Sequence, residues 1–220
     1  MLQKLAPEPL ITAEILKLIA ALDEFKGQWR AFKRLSRDQL SQLKKIATIE
    51  SIGSSTRIEG CKLTDQQIAT LLSGLKIQDF KSRDEEEVAG YAAAMDTVFE
   101  SFEHIQVTEN HIRQLHRTLL QFSSKDERHR GDYKTLDNHV AAFDAKGNQL
   151  GIVFETASPF ETPFAMKRLV EWMIEAEKDG DLHPLLITGV FVVWFLAIHP
   201  FQDGNGRLSR VLTTLLLLRH

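Results

Sequence analysis

The chemistry of this chain is concentrated in twelve consecutive positions, His199-Pro200-Phe201-Gln202-Asp203-Gly204-Asn205-Gly206-Arg207-Leu208-Ser209-Arg210. Glycines let backbone N–H groups turn inward, and the first turn of a helix leaves its N–H groups unpaired. Gly204-Asn205-Gly206 opening a helix is therefore an anion site with a favourable helix dipole. Asp203 stands just before it, placed to hold a magnesium ion shared with phosphate. Arg207 and Arg210, three apart, lie on roughly one helix face. Their guanidinium forks suit the outer phosphates of a nucleotide. Across the loop, the His199 imidazole is a candidate general base. Taken singly, Gly-Asn-Gly is a tight turn and a histidine at a helix end is a favourable end charge. Base, carboxylate, two glycines, asparagine and two arginines in one string are far harder to assemble by accident.

A second constellation lies upstream, Ser55-Thr56-Arg57-Ile58-Glu59-Gly60. Ser55 and Glu59 are four apart, so a helix puts both on one face, and Gly60 ends it. By itself this reads as a capped helix end with a solvated glutamate.

Helices must position these residues. Thr12, Thr64 and Thr108 are candidate caps, and Ser36/Gln39 and Ser82/Glu85 have capping-box spacing. Gly53 is expected to interrupt the helix that carries Ser55. Thr162-Pro163 reads as a cap with proline at the first helical position. Apolar residues recur at helical spacing after each start, as in Val88, Tyr91, Met95 and Val98. The loop itself joins two strongly apolar helices, from about Pro184 and from Asn205. One region differs: His139–Phe143 and Leu150–Phe154 are short apolar runs separated by Asp144-Ala145-Lys146-Gly147-Asn148-Gln149, a β-hairpin signal. The expected fold class is all-α, a helical bundle with one exposed hairpin. Such a hairpin offers unpaired edge groups on which an extended peptide can add as a strand. Val140, Ala142, Ile152 and Phe154 are the candidate apolar clamp.

Composition sets the outer bounds. The 220 residues carry 27 Lys+Arg against 30 Asp+Glu, a net charge of −3, with 43% hydrophobic residues. That is globular, and nucleic acid is not indicated as a partner. The single Cys61 excludes an intramolecular disulfide and a cysteine-built zinc site, and suits a reducing compartment. His111, His116, His129, His139 and His183 show no metal-ligand spacing and read as surface or structural. The N-terminus has no secretory leader pattern. The longest apolar stretch, Leu185–Ile198, is short of the roughly 20 residues a membrane span needs. A cytoplasmic protein is expected. Leu215–Leu218 runs into Arg219-His220 without a stop signal, as in a chain truncated at its C-terminus.

The string His199-x-Phe201-x-Asp203-Gly204-Asn205-Gly206-Arg207-x-x-Arg210 resembles the signature of the Fic (Fic/DOC) family of nucleotidyl transferases at every defining position. From about Glu85 onward the order of helices, hairpin and loop-linked helix pair resembles the same family. Gly131-Asp132-Tyr133-Lys134 is similar to a Gly-x-Tyr-Arg element of that family, with lysine in the last place. Where family members often carry a proline run after the hairpin, this chain has Ala157-Ser158-Pro159-Phe160. Ser55-x-x-x-Glu59-Gly60 resembles the inhibitory motif of Fic proteins, and its place ahead of the core matches the class with an N-terminal inhibitory helix.

The resemblance implies a Fic-fold helical bundle with the hairpin as a flap. Residues 1–80 would form an N-terminal helical region with the inhibitory helix, and 81–220 the catalytic core. It implies transfer of AMP from ATP, with Mg2+, to a Tyr, Thr or Ser hydroxyl of a target protein. His199 would take the hydroxyl proton, Phe201 would fix the loop, and Asp203 would hold magnesium. Gly204, Asn205 and Gly206 would cradle the α/β phosphates, with Arg207 and Arg210 on the β/γ phosphates. Glu59 would pair with Arg210 and keep the γ-phosphate from docking. The flap would hold the target segment. Self-modification and a homodimer also fit the resemblance. Three alternatives stay open: removal of AMP, transfer of another phosphate-containing group, and a non-catalytic nucleotide-sensing module.

Overall fold

A computed structural model describes residues 11–31, 37–74, 80–143 and 149–220. Among them the helices are α1 (Ala13–Ala31), α2 (Arg37–Ile58), α3 (Asp65–Ser73), α4 (Arg83–Ser101), α5 (Glu109–Leu119), α6 (Thr162–Asp179), α7 (Pro184–Ile198) and α8 (Asn205–Arg219). The strands are β1 (Val140–Phe143) and β2 (Gln149–Phe154), paired antiparallel as a two-stranded hairpin. The fold is thus mostly helical with one hairpin, as the sequence indicates.

Local chemistry starts most of these helices. Thr12 Oγ1 accepts from the Ile15 N–H, Ser82 Oγ from Glu85 N–H, and Thr108 Oγ1 from His111 N–H. Thr64 forms a full capping box with Gln67. A cap of this kind is worth about 1 kcal/mol. Two expectations need correction. Gly53 does not interrupt α2, which runs unbroken through it. Its bare face lies against the Arg57–Asp65 ion pair, whose atoms a Cβ would meet. Nor does Thr162 cap α6. Glu161 stands at that cap without a side-chain bond, while Thr162 Oγ1 donates to the Ser158 carbonyl at 2.8 Å. The reciprocal Ser–Glu box sits one turn earlier, between Ser158 and Glu161. The Ser36 cap and the hairpin turn at 144–148 lie outside the described residues.

One core joins the elements that carry the loop. α4 contributes Val88, Tyr91, Met95 and Val98, α7 Phe191, Phe195 and Ile198, and α8 Leu208, Val211 and Leu212. α8 packs against α7 and α4, and α2 lies on α4 and α8. That last contact brings the end of α2, with Ser55 and Glu59, to the start of α8. α1 is held differently. Leu16, Leu18, Leu22, Phe25 and Trp29 are all exposed, and its polar ties include His183–Asp23 at 3.3 Å and Lys26 Nζ on the His220 carbonyl.

Candidate active site

α7 stops at Ile198, and His199 caps it in a left-handed conformation, φ 54°. It is the one non-glycine residue with positive φ among the described residues. Asn205 then closes the loop with both ends of its amide. Its Oδ1 accepts from the Phe201 N–H at 2.9 Å, and its Nδ2 donates to the Phe201 carbonyl at 2.6 Å. Phe201 is fully buried, as expected, and stacks on the His116 ring with centroids 3.8 Å apart. The Gly131 N–H donates to His116 Nδ1, so the proton sits on Nε2, which donates to the Asp203 carbonyl at 2.9 Å. Burial pulls the His116 pKa down to about 4, against the smaller upward effect of the Asp203 carbonyl. His116 is therefore a neutral strut beneath the loop.

Asp203 and Arg207 belong to a compact charge network with α4. Asp203 Oδ1 accepts from the Gly204 N–H at 2.6 Å and lies 3.3 Å from Arg207 Nη2. Arg207 Nη1 lies 3.2 Å from Glu87 Oε2, whose other oxygen accepts from Arg83 Nε at 2.7 Å. Arg83 Nη2 stands 3.5 Å from Asp203 Oδ2 and completes the ring. Burial pushes the Asp203 carboxyl up, but Arg207, the Gly204 N–H and Arg83 outweigh it and hold it below the usual carboxylate range. Arg207 is buried, and its Nε and Nη1 lack a well-directed hydrogen bond.

Arg210 faces the other way, toward α2. Its Nη2 donates to Glu59 Oε1 at 2.8 Å and to the Ser55 carbonyl at 2.8 Å. Glu59 lies just past the end of α2, in a turn closed by its own N–H on Thr56 O. Its carboxylate presses so closely on Gly206 that a Cβ there would run into it. Ser55 reaches Arg210 through its backbone, while its hydroxyl is 2.9 Å from the Tyr91 hydroxyl in the core. The loop thus brings Gly204, Asn205, Gly206, Arg207 and Arg210 together and sets Glu59 upon them. The two arginines part company, Arg207 into α4 and Arg210 to the α2 side.

His199 Nδ1 donates to the Leu196 carbonyl at 3.3 Å, which leaves the Nε2 lone pair free to accept a proton. Burial, the largest influence, lowers the imidazole pKa. The Leu196 carbonyl opposes it, Lys134 adds to the lowering, and Glu59 and Asp203 oppose. The hairpin beside it pairs Val140 with Phe154, Ala141 with Ile152 and Ala142 with Gly151, with register shifts on both sides of the middle pairs. Of the four clamp candidates, Val140 and Phe154 are opposed, whereas Ala142 and Ile152 are not. Val140 and Ile152 are exposed, while Phe154 turns into a cleft of about 390 Å³ with Val193, Trp194 and Ala197.

Residues that sequence reasoning missed hold this arrangement: Arg83, Glu87, Asn138 and the ring of His116. Two left a signal. Glu87 falls on the stripe of Tyr91, Ala94 and Val98, and His116 on that of Ile112, Leu115 and Leu119; all are buried. A polar group at an apolar period marks a buried, partnered group.

The chemistry of the site fits a nucleotide triphosphate. Glu59 already seats an anion against Gly206 and Arg210, and the buried Arg207 Nε and Arg210 Nε have no hydrogen-bond partner. A single carboxylate, Asp203, suits magnesium, which takes one or two carboxylates with phosphate and water. No group of three or more acidic, His or Cys ligands occurs among the described residues.

Comparison with known proteins agrees with the fold. The model of the Fic/DOC family matches residues 106–217, just over half of the chain. Protein adenylyltransferase Fic of Drosophila mojavensis is 29% identical over 215 residues, covering 94% of this chain and 40% of the relative. Its namesake in Drosophila melanogaster is 31% identical over 186 residues, covering 84% and 35%. The chain thus spans well under half the length of these curated relatives. A Fic-domain signaling protein from Bacteroides thetaiotaomicron superposes with a TM-score of 0.75 at 29% identity, over 90% of this chain and 72% of that one. A Fic family protein from Desulfovibrio desulfuricans gives 0.72 at 26%, over 96% and 59%.

Proposed function

The chain belongs to the Fic/DOC family, and from that premise we propose that it is an autoinhibited protein adenylyltransferase. Its curated relatives carry that activity in their names. The Nε2 of His199 takes the proton of a Tyr, Thr or Ser hydroxyl on a target protein. The hydroxyl oxygen attacks the α-phosphorus of ATP, the bond to the β-phosphate bridging oxygen breaks, and pyrophosphate leaves. The lowered pKa of His199 keeps the imidazole neutral for this step. A base so placed is worth roughly 10²–10⁴-fold. The first N–H groups of α8, with Gly204 and Gly206, receive the α/β phosphates, and Asn205 holds the loop in shape for them. Arg207 and Arg210 face the β/γ phosphates. Magnesium, held by Asp203, would neutralise phosphate charge. The hairpin lays its edge along the target segment, with Val140, Ala142, Ile152 and Phe154 as the apolar side chains near it.

Residues 1–80 act as the inhibitory region and 81–220 as the catalytic core. The observation that carries the reading is the Glu59 carboxylate on Arg210, 2.8 Å away, in the place a phosphate needs. ATP docks productively only once it leaves. No described helix is long and apolar enough to cross a membrane. A cytoplasmic setting, self-modification and a homodimer belong to the same reading.

The test is label incorporation from α-labelled ATP with magnesium in a lysate. Glu59→Gly is expected to raise incorporation strongly, and His199→Ala in that background to abolish it. No gain with Glu59→Gly removes the brake. Persistence without His199 removes the base. Mass spectrometry of the labelled proteins identifies the group and the residue modified, so it separates AMP from another phosphate-containing group. A biological effect that survives His199→Ala intact would instead favour a nucleotide-sensing module. A second reading rests on Glu59 bearing on the charge of His199: the glutamate orients a water that removes AMP. Pre-modified target should then lose AMP with wild type and keep it with Glu59→Gly.

A further inference from the structure

Lys134 is a buried cation, 3% exposed. Its ammonium donates to Asn138 Oδ1 at 2.6 Å, Thr156 Oγ1 at 3.0 Å and the Ile198 carbonyl at 3.2 Å. All three acceptors are neutral, and among the described residues no ion pair to Lys134 occurs. Buried charges are ordinarily paired, because taking an ion out of water is costly. A buried ammonium on neutral oxygens is an expensive way to fill space, so its positive charge calls for a reason.

The three acceptors supply one. Asn138 precedes β1 and Thr156 follows β2, so they are the two feet of the hairpin. Ile198 is the last residue of α7, directly before His199. The backbone continues the pattern: Lys134 N–H donates to Pro200 O at 2.9 Å, and Asn138 Nδ2 to Phe201 O at 2.7 Å and His199 O at 3.3 Å. The ammonium therefore ties both feet of the flap to Ile198 on one side of the histidine, and the Lys134 N–H holds Pro200 on the other.

We propose that Lys134 is a positioning residue for His199, its ammonium bolting the hairpin to the catalytic loop and its positive charge acting directly on the imidazole. This rests on His199 being the base. A cation held beside an imidazole opposes its protonation. The charged groups bearing on His199 are Lys134 from the segment after α5, Glu59 from the end of α2 and Asp203 from the loop, the last two acting the opposite way. Lys134 itself is lowered by burial to about 8, with Asp137 pulling it back up. Its charge is thus present at neutral pH and lost a little above it. A lysine here titrates where an arginine would not.

The test reads the imidazole and not nucleotide transfer, so it can fail while the transferase reading stands. His199 is followed by NMR in the full chain with carbon-13-labelled histidine, its signal assigned by loss in His199→Gln. In wild type the midpoint should lie below the ordinary value of about 6.5, with a second inflection near pH 8 as Lys134 loses its proton. Lys134→Met should raise the midpoint by about half a pH unit or more and erase the second inflection. Lys134→Arg should restore the low midpoint without that inflection. Amide exchange at Ile152 and Phe154 should quicken in Lys134→Met, since the feet of the flap lose their anchor. A midpoint unmoved by Lys134→Met overturns the proposal. So does a single inflection in wild type, a measurement that needs no substitution and decides the matter if the variants fail to fold.

Discussion

Arg207 and Arg210 stand three residues apart on α8 and carry the same guanidinium, yet the structure treats them differently. Arg207 is 2% exposed and bracketed by Glu87 and Asp203, which α4 and the loop hold in place. Arg210 has a side chain 28% exposed and leans on Glu59, 35% exposed, in the turn just past α2. The first pair is built into the core. The second sits where water and ligand compete for it. Burial, not charge, separates an arginine fixed in the core from one whose carboxylate partner lies at the solvent edge.

Removing the carboxylate partner of each arginine tests this difference most severely. Glu87→Gln leaves Arg207 buried with half its counter-charge and should destabilise the fold by about 3 kcal/mol. Glu59→Ala breaks a screened, half-exposed pair and should stay within about 1 kcal/mol. Urea unfolding of both variants decides it. Equal losses would mean that the Glu59 arm is as much part of the core as Glu87.

A smaller effect comes from acid, and it falls on the Arg207 side. His116 holds the Asp203 carbonyl as a neutral donor with a folded pKa of about 4, against an unfolded value of about 6.5. Between these values the unfolded chain binds the extra proton. Its contribution is thus complete well above pH 6.5 and falls as pH drops, by about 1.5 kcal/mol between pH 6.5 and 5. His116→Asn should flatten that part of the stability profile. An unchanged slope would show that His116 is protonated in the fold and would sharpen the comparison by weakening its fixed half.

The sequence made the loop legible because its chemistry is local: His199, Asp203, the glycines and both arginines occur within twelve positions, and their helix starts at Asn205. The all-helical bundle and its single hairpin were legible for a similar reason, since caps and periodicity are short-range. What holds the loop was not. Glu87 meets Arg207 across 120 positions of chain, and its place on the apolar stripe of α4 marks it as buried without naming that partner. Gly53 read as a break because helix propensity is local, whereas the pair Arg57–Asp65 that it underlies is tertiary. The different fates of Arg207 and Arg210 could not be read from spacing either, because three residues apart is one face only when a single partner surface covers both.

Ser55 gives the finest probe of the boundary between the two halves. It shares the proposed inhibitory motif with Glu59, but its hydroxyl faces Tyr91 at 2.9 Å and only its carbonyl meets Arg210. Ser55→Ala removes the hydroxyl and keeps the carbonyl, so it should cost about 1 kcal/mol while incorporation of labelled AMP stays at the wild-type level. Tyr91→Phe should cost a similar amount, and the double variant less than the sum, because both remove one contact. If Ser55→Ala instead releases incorporation as Glu59→Gly does, the arm is held by the core bond at Ser55 rather than by the glutamate at the mouth. The releasable half would then begin one helical turn earlier, at Ser55, and Arg210 would be governed by packing as Arg207 is.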